Sequence, residues 1–133
     1  MKISTKGRYA LRLMIDIGMH EENGHVSLKD AAERQDISMK YLERMSGMLC
    51  RAGLLESTRG TQGGYSLTKA PEEYTVEEIL EAAEEDLHPV KCMEGSGNSC
   101  PRYKKCRTIG FWEGLDEVMR GYLRSHTLKD LMN

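Results

Sequence analysis

Three cysteines late in the chain, Cys92, Cys100 and Cys106, are the residues best equipped for chemistry. Seven residues lie between the first two and five between the second and third. Zinc sites usually pair their cysteines about two to four residues apart, and this run contains no such pair. Wider spacing on a glycine-containing loop suits a larger object, an iron–sulfur cluster held by thiolates. Gly95 and Gly97 would let backbone N–H groups approach the cluster sulfurs. Cys106 stands just before a helix, whose partly positive N-terminal end favours a thiolate or an anionic cluster. Lys91, Lys104, Lys105 and Arg107 add charge of the same sign. Three thiolates leave one ligand to find, and His88, Glu94 and Asn98 are the candidates close in sequence. A partner subunit or a small exogenous thiol could also supply it. The plain alternative is a set of incidental or disulfide-forming thiols, and disulfides belong to oxidising compartments. Cys50, beside Leu49, reads as a packed small residue.

A second group is polar and lies mid-chain: Ser38, Met39, Lys40, Tyr41, Glu43 and Arg44. Side chains of this kind near the start of the second helix of a helix-turn-helix face the major groove of DNA. Lys40 and Arg44 suit phosphates or guanine acceptors. Glu43 is the more telling residue, because a carboxylate against DNA is repelled unless it accepts a hydrogen bond from a cytosine amino group. Arg59, among glycines, has the freedom to enter a minor groove. Lys6, Arg8 and Arg12 would add backbone contacts. Taken alone, such charges describe any solvated helix face; the elements around them decide.

Those elements follow from periodicity and punctuation. Ala10, Leu13, Met14 and Ile17 share one face of a helix over 9–19. Ser27 caps a second helix that ends near Gln35, with Asp30 placed to reach back. Ser38 caps a third running to Ala52, where Gly53 takes the stop position. On it Leu42, Met45, Leu49 and Ala52 should pack inward, with Lys40, Glu43, Arg44, Gly47 and Arg51 opposite. Two short strands around Gly60–Gly64 then form a hairpin wing. Thr75 with Glu78 predicts a capping box for a short helix bearing Val76, Ile79, Leu80 and Ala83. A loop over 86–105 carries the cysteines. In the last long helix, 107–125, Phe111, Leu115, Val118 and Tyr122 step as a seam meant for a partner helix. Thr127 and Asp130 open a final turn.

The fold class expected is therefore mainly α with a small β-hairpin wing: a winged helix-turn-helix plus a long C-terminal dimerisation helix. Three units result, a DNA-binding unit over 1–70, a short helix and cysteine loop over 71–106, and the dimerisation helix with its tail over 107–133. Charge divides the same way. Residues 1–70 hold 11 Lys+Arg against 8 Asp+Glu, and residues 71–133 hold 8 against 13, as suits a nucleic-acid reader with a separate assembly or sensing part. The chain's 133 residues, 39% hydrophobic and 30% charged, exclude disordered and collagen-like classes. No apolar run approaches the roughly 20 residues a membrane span needs, and the start MKISTKGRYA has no signal-peptide core. A cytoplasmic location without membrane contact is the expectation. The glycine-rich segment lacks the Lys-Ser/Thr of a phosphate loop, the four histidines form no metal-spaced pair, and no motif positions a base for a nucleophile. No enzyme is expected.

The opening Met1–Ala10, the segment ISMKYLE over Ile37–Glu43, the wing RGTQGGY over Arg59–Tyr65 and the cysteine loop together resemble the IscR-type bacterial transcription regulators. The likeness runs across nearly the whole chain. It implies a homodimer paired through the long C-terminal helix and a palindromic double-stranded operator. It also implies a cluster on Cys92, Cys100 and Cys106, commonly [2Fe–2S] and in some branches [4Fe–4S], that reports iron–sulfur, iron, redox or nitric oxide status. Tyr41 and Glu43 match recognition-helix positions, and Arg59 matches the wing arginine of the minor groove. The chain departs from the pattern at the fourth ligand. Ile109 stands where Isc regulators carry a ligand His, and Arg8 where nitric-oxide-sensing relatives supply an Asp across the dimer. The same fold would also serve a metal-free thiol redox switch, or a cysteine-metabolism regulator that acts through a partner enzyme.

Overall fold

A computed structural model describes residues 2–60, 63–94 and 100–133. Its element order is α1 (Thr5–His20), α2 (Leu28–Gln35), α3 (Met39–Arg51), β1 (Leu55–Thr58), β2 (Gly64–Leu67), α4 (Val76–Ala83), α5 (Ile109–Ser125) and α6 (Leu128–Leu131). Short 3₁₀ turns occupy Lys91–Met93 and Tyr103–Lys105 on the cysteine loop. The expected fold class is found: a helical body, a two-stranded antiparallel wing pairing Leu55 with Leu67 and Thr58 with Gly64, and a long C-terminal helix.

Helix α1 begins at Thr5, ahead of its apolar stripe, because its first turn is capped twice. Ser4 Oγ accepts from the Gly7 N–H at 3.4 Å, and Glu84, at the end of α4, accepts from Ser4 N at 2.7 Å and Ser4 Oγ at 2.8 Å. A carboxylate over a helix N-terminus opposes the positive end of the dipole. Its approach is close enough that a Cβ at Gly7 would collide with Glu84 Oε1.

The turn of the helix pair is made by Asp36 in the left-handed region, φ 53° and ψ 50°, which Asp tolerates better than most residues. Ser38 then caps α3, accepting from Tyr41 N at 3.2 Å. Gly53, at φ +76°, ends it, with Leu54 N–H donating back to Leu49 O at 2.9 Å. Leu42, Met45 and Leu49 are fully buried against Leu13, Met14 and Ile17 of α1, and Tyr74, Ile79 and Leu128 close the same core. Ala52 is exposed, contrary to expectation, because it is the C-cap and the chain is already turning there. The Thr75 capping box is half made: Thr75 Oγ1 accepts from Glu78 N at 3.1 Å, but the Glu78 carboxylate turns to Lys69 Nζ at 2.9 and 3.0 Å. The reciprocal box is complete one turn from the end, between Thr127 and Asp130.

Asp16 is a buried charge inside this core, 1% exposed. Arg34 grips it with Nε to Oδ1 at 2.9 Å and Nη2 to Oδ2 at 2.8 Å, and Gln35 Nε2 adds 3.0 Å. Burial pushes this carboxyl upward, but the Arg34 and Gln35 hydrogen bonds outweigh it and hold the group below the usual carboxylate range. Asp16→Ala should destabilise the protein by about 2 kcal/mol, since it removes the buried acceptor of the Arg34 and Gln35 hydrogen bonds, while the Arg34 side chain still reaches solvent. A depressed carboxyl stabilises above its unfolded value of about 3.9 and loses that contribution as pH falls further. The gap in denaturation midpoint between the native protein and the Asp16→Ala variant should therefore narrow from pH 7 to pH 3. A gap that stayed constant would show that the carboxylate charge contributes nothing.

Candidate nucleic-acid interface and metal centre

The polar side of α3 is open to solvent. Lys40, Glu43 and Arg44 are exposed and have no ion-pair partner among the described residues, so each keeps its full hydrogen-bonding capacity. Ser38 is exposed too; its cap bond uses a lone pair and leaves its hydroxyl proton to donate. Tyr41 is half-buried, its ring edge-on to Tyr9 with centroids 5.2 Å apart, which fixes the direction of the phenol. These five residues come together on one helix end as their spacing implies.

Arg59 extends from the end of β1 and is exposed. Beside it the wing narrows: Gly63 N–H donates to Gly60 O at 3.0 Å, and a Cβ at Gly63 would collide with the Thr58 carbonyl. At Gly63 and Gly64 the backbone passes too close for a side chain, whereas Gly60 has open space and is required by its φ of +120°. A bridge from Val26 to Tyr65, with N–H to O distances of 2.9 and 2.8 Å, sets the wing against the start of α2.

Arg12 is not free for a nucleic-acid backbone as expected. Its Nε donates to Gln35 Oε1 at 3.2 Å, its Nη2 bonds the Gln35 carbonyl, and its guanidinium lies 5.3 Å from the Tyr9 ring centroid. It ties α1 to the end of α2 and so holds the turn that aims α3. Sequence periodicity gave no sign of this, nor of the Asp16–Arg34 pair, because both are contacts between helices. Lys6 stands 3.8 Å from exposed Glu85, a surface pair that water screens, and Arg8 donates to Thr5 Oγ1 at 3.2 Å.

The cysteine loop leads from α4 to α5. Cys92, Cys100 and Cys106 are half-buried and free of disulfides. The Thr108 hydroxyl, 3.2 Å from Cys106 Sγ, with the backbone N–H groups of Thr108 and Ile109 and the Arg102 charge, holds the Cys106 thiol below the ordinary cysteine range. These are the donors of the α5 N-terminus, which begins at Ile109 and not at Arg107. Burial instead pushes Cys50 upward, in keeping with a packing role.

In kind, three thiols free of disulfides, one of them lowered from its ordinary range by the donors of a helix N-terminus, fit an iron–sulfur cluster. Among the described residues, however, no three His, Cys, Asp or Glu side chains gather into a metal-holding set. His88 is engaged elsewhere, with Nδ1 3.3 Å from Asp116 Oδ1 on α5. Glu94 lines a cleft with Ser4, Lys6 and Glu84. Gly95, Gly97 and Asn98 lie outside the described residues.

The family model described as Rrf2, iron-dependent transcriptional regulator, matches residues 3–133. The chain belongs to the Rrf2 family of transcriptional regulators. Among its Rrf2-family relatives, the HTH-type transcriptional regulator IscR of Klebsiella pneumoniae (strain 342) is 39% identical over 100% of this chain and 80% of its own. The solved structure of IscR from T. potens superposes with a TM-score of 0.78 at 36% identity, covering 99% of this chain and 86% of that one. CymR of B. subtilis, titled the global cysteine regulator, gives a TM-score of 0.74 at 36% identity, covering 99% and 96%. These relatives are regulators of transcription, not enzymes, and an Rrf2-family regulator acts on DNA. Among the described residues no helix is long and apolar enough to cross a membrane.

Proposed function

We propose that this Rrf2-family regulator works as a homodimer on a palindromic duplex operator, with DNA binding controlled by an iron–sulfur cluster. Residues 1–70 read DNA, with Ser38, Lys40, Tyr41, Glu43 and Arg44 in the major groove and Arg59 in the minor groove. Residues 71–106 carry the cluster loop, and 107–133 pair the two copies. Cys92, Cys100 and Cys106 would hold the cluster, [2Fe–2S] in preference to [4Fe–4S]. When bound, the group supplies a charge and a cross-link that respond to iron, redox or nitric oxide status.

The observation that carries this reading is Cys106 at the start of α5. Its Sγ lies 3.2 Å from the Thr108 hydroxyl, and that hydroxyl with the first N–H groups of α5 lowers the Cys106 thiol from its ordinary range, at the junction of the loop and the proposed pairing helix. A change in that loop would be felt on α4 as well, because His88 is held to Asp116, and Arg120 of α5 reaches Glu77 at 3.6 Å and Glu81 on α4. Helix α4 in turn packs on α1 and α3 of the reading head. A change at the loop then shifts the population of DNA-competent heads.

A second reading keeps the DNA binding and makes the loop a thiol switch in a cysteine regulator. The likeness to CymR supports it, together with Ile109 at the expected fourth-ligand position. Protein purified without oxygen separates the two by its visible spectrum, with iron and acid-labile sulfide assayed per chain. Coloured protein with matched iron and sulfide is expected. Colourless protein that also resists reconstitution would leave the thiol switch.

A further inference from the structure

Tyr74 lies just before α4, fully buried and aromatic, and its hydroxyl sits at the base of the wing. It donates to Leu54 O at 2.8 Å, and it accepts from Thr68 N at 2.8 Å and Lys69 N at 3.3 Å. Leu54 is the residue entering β1, and Thr68 and Lys69 are the residues leaving β2. One hydroxyl therefore grips both legs of the hairpin, and its single proton and two lone pairs are all in use. Thr68 Oγ1 stands 3.1 Å from the same oxygen but gives its own proton to Gly53 O at 2.8 Å, a second tie across the legs.

The two legs are not held alike. β2 has other anchors, in the Val26–Tyr65 bridge and in the Glu21 carboxylate that accepts from Leu67 N at 2.9 Å. β1 leads directly into Arg59 and is exposed beyond Leu55, so apart from its pairing with β2 it is anchored at Leu54 and Leu55. The other side of Tyr74 faces the C-terminal end: its carbonyl accepts from Leu128 N at 3.0 Å, next to the Val76 N to His126 O bond of 2.9 Å. The residue joins the wing base to the segment that follows α5.

We propose that the Tyr74 hydroxyl is a positioning group for the minor-groove arm, setting the angle of β1 and hence the placement of Arg59. This rests on the reading of Arg59 as a DNA contact. A tyrosine there for packing alone would need only its ring, which phenylalanine supplies.

The test is a double-mutant cycle on a duplex selected by the native protein from a random-sequence pool, with affinities measured well below the unfolding midpoint of each variant. Arg59→Ala is expected to weaken binding about tenfold, the scale of one specific arginine contact. Tyr74→Phe should weaken it several-fold when Arg59 is present, and should add no further loss in the Arg59→Ala background. Equal effects of Tyr74→Phe in both backgrounds, or no effect in either, would overturn the proposal while leaving Arg59 a DNA contact. A neutral Arg59→Ala would instead remove the underlying reading, and the proposal with it. If Tyr74→Phe fails to fold, exposed Thr68→Val removes the neighbouring tie to Gly53 and is judged by the same non-additivity.

Discussion

Alanine in place of Cys92, Cys100 and Cys106 together should give a folded protein with no visible absorption and no bound iron or sulfide. The fold is expected to survive because none of the three thiols belongs to either hydrophobic cluster. Each is half-buried on a loop, and substitutions at such positions usually change stability by less than about 0.5 kcal/mol. Thr108 and Ile109 lose a sulfur acceptor but stand where water can replace it. Binding to the operator should then no longer differ between protein prepared without oxygen and protein exposed to it. Of the single variants, Cys106→Ala should be the most damaging, because Cys106 sits at the start of α5 with its Sγ 3.2 Å from the Thr108 hydroxyl. Native-like absorption in the triple variant would show that the ligands lie elsewhere. If the native protein is itself colourless, the same variant still discriminates: loss of its response to an added disulfide would place a thiol switch on this loop.

How much of this was legible beforehand depended on whether the information was local. Caps and stops were: Ser27, Ser38, Gly53 and Thr127 stand where their side-chain chemistry or glycine freedom says they should. So was the polar end of α3, since Lys40, Glu43 and Arg44 differ from Leu42 and Met45 in residue type alone. Contacts between distant segments were not. The early start of α1 depends on Glu84, eighty residues away, and nothing near Ser4 announces it. Arg12 reads as a solvated cation until Gln35 is found under it. Glu78 looks like the second half of a capping box until Lys69 offers a stronger partner, as a charged donor usually does. Tyr74 reads as one more aromatic; only the fold brings Leu54, Thr68 and Lys69 around its oxygen. The cysteine loop was legible in composition but not in geometry. Three thiols and a helix N-terminus can be read from spacing, whereas how close the three thiols come to one another is decided by the fold.

Helix α5 offers the other large effect. It has no buried residue, and Phe111, Val118 and Tyr122 are 68%, 71% and 66% exposed along one side. Its opposite side meets α4 through charges, with Arg124 on Glu77 at 2.9 Å and Arg120 on Glu77 and Glu81, and through Leu123, which packs on the cluster of Val76, Leu80 and Leu87. With an exposed apolar stripe turned away from α4, the helix has the pattern of one that pairs with its own copy. Ile3 and Met119 continue the apolar surface beside Val118, Tyr122 and Leu123. Val118→Glu should therefore convert the proposed dimer to a monomer at micromolar concentration, read by sedimentation. The monomer should keep its helical spectrum, because Val118 contributes nothing to the core of the single chain. Operator affinity should fall by about a hundredfold or more, since two linked reading heads gain an effective concentration that one head lacks. The loss should be far smaller on a duplex carrying a single half-site. A variant that still sediments as a dimer and binds the full operator within a few-fold of the native protein would place the pairing surface somewhere other than α5.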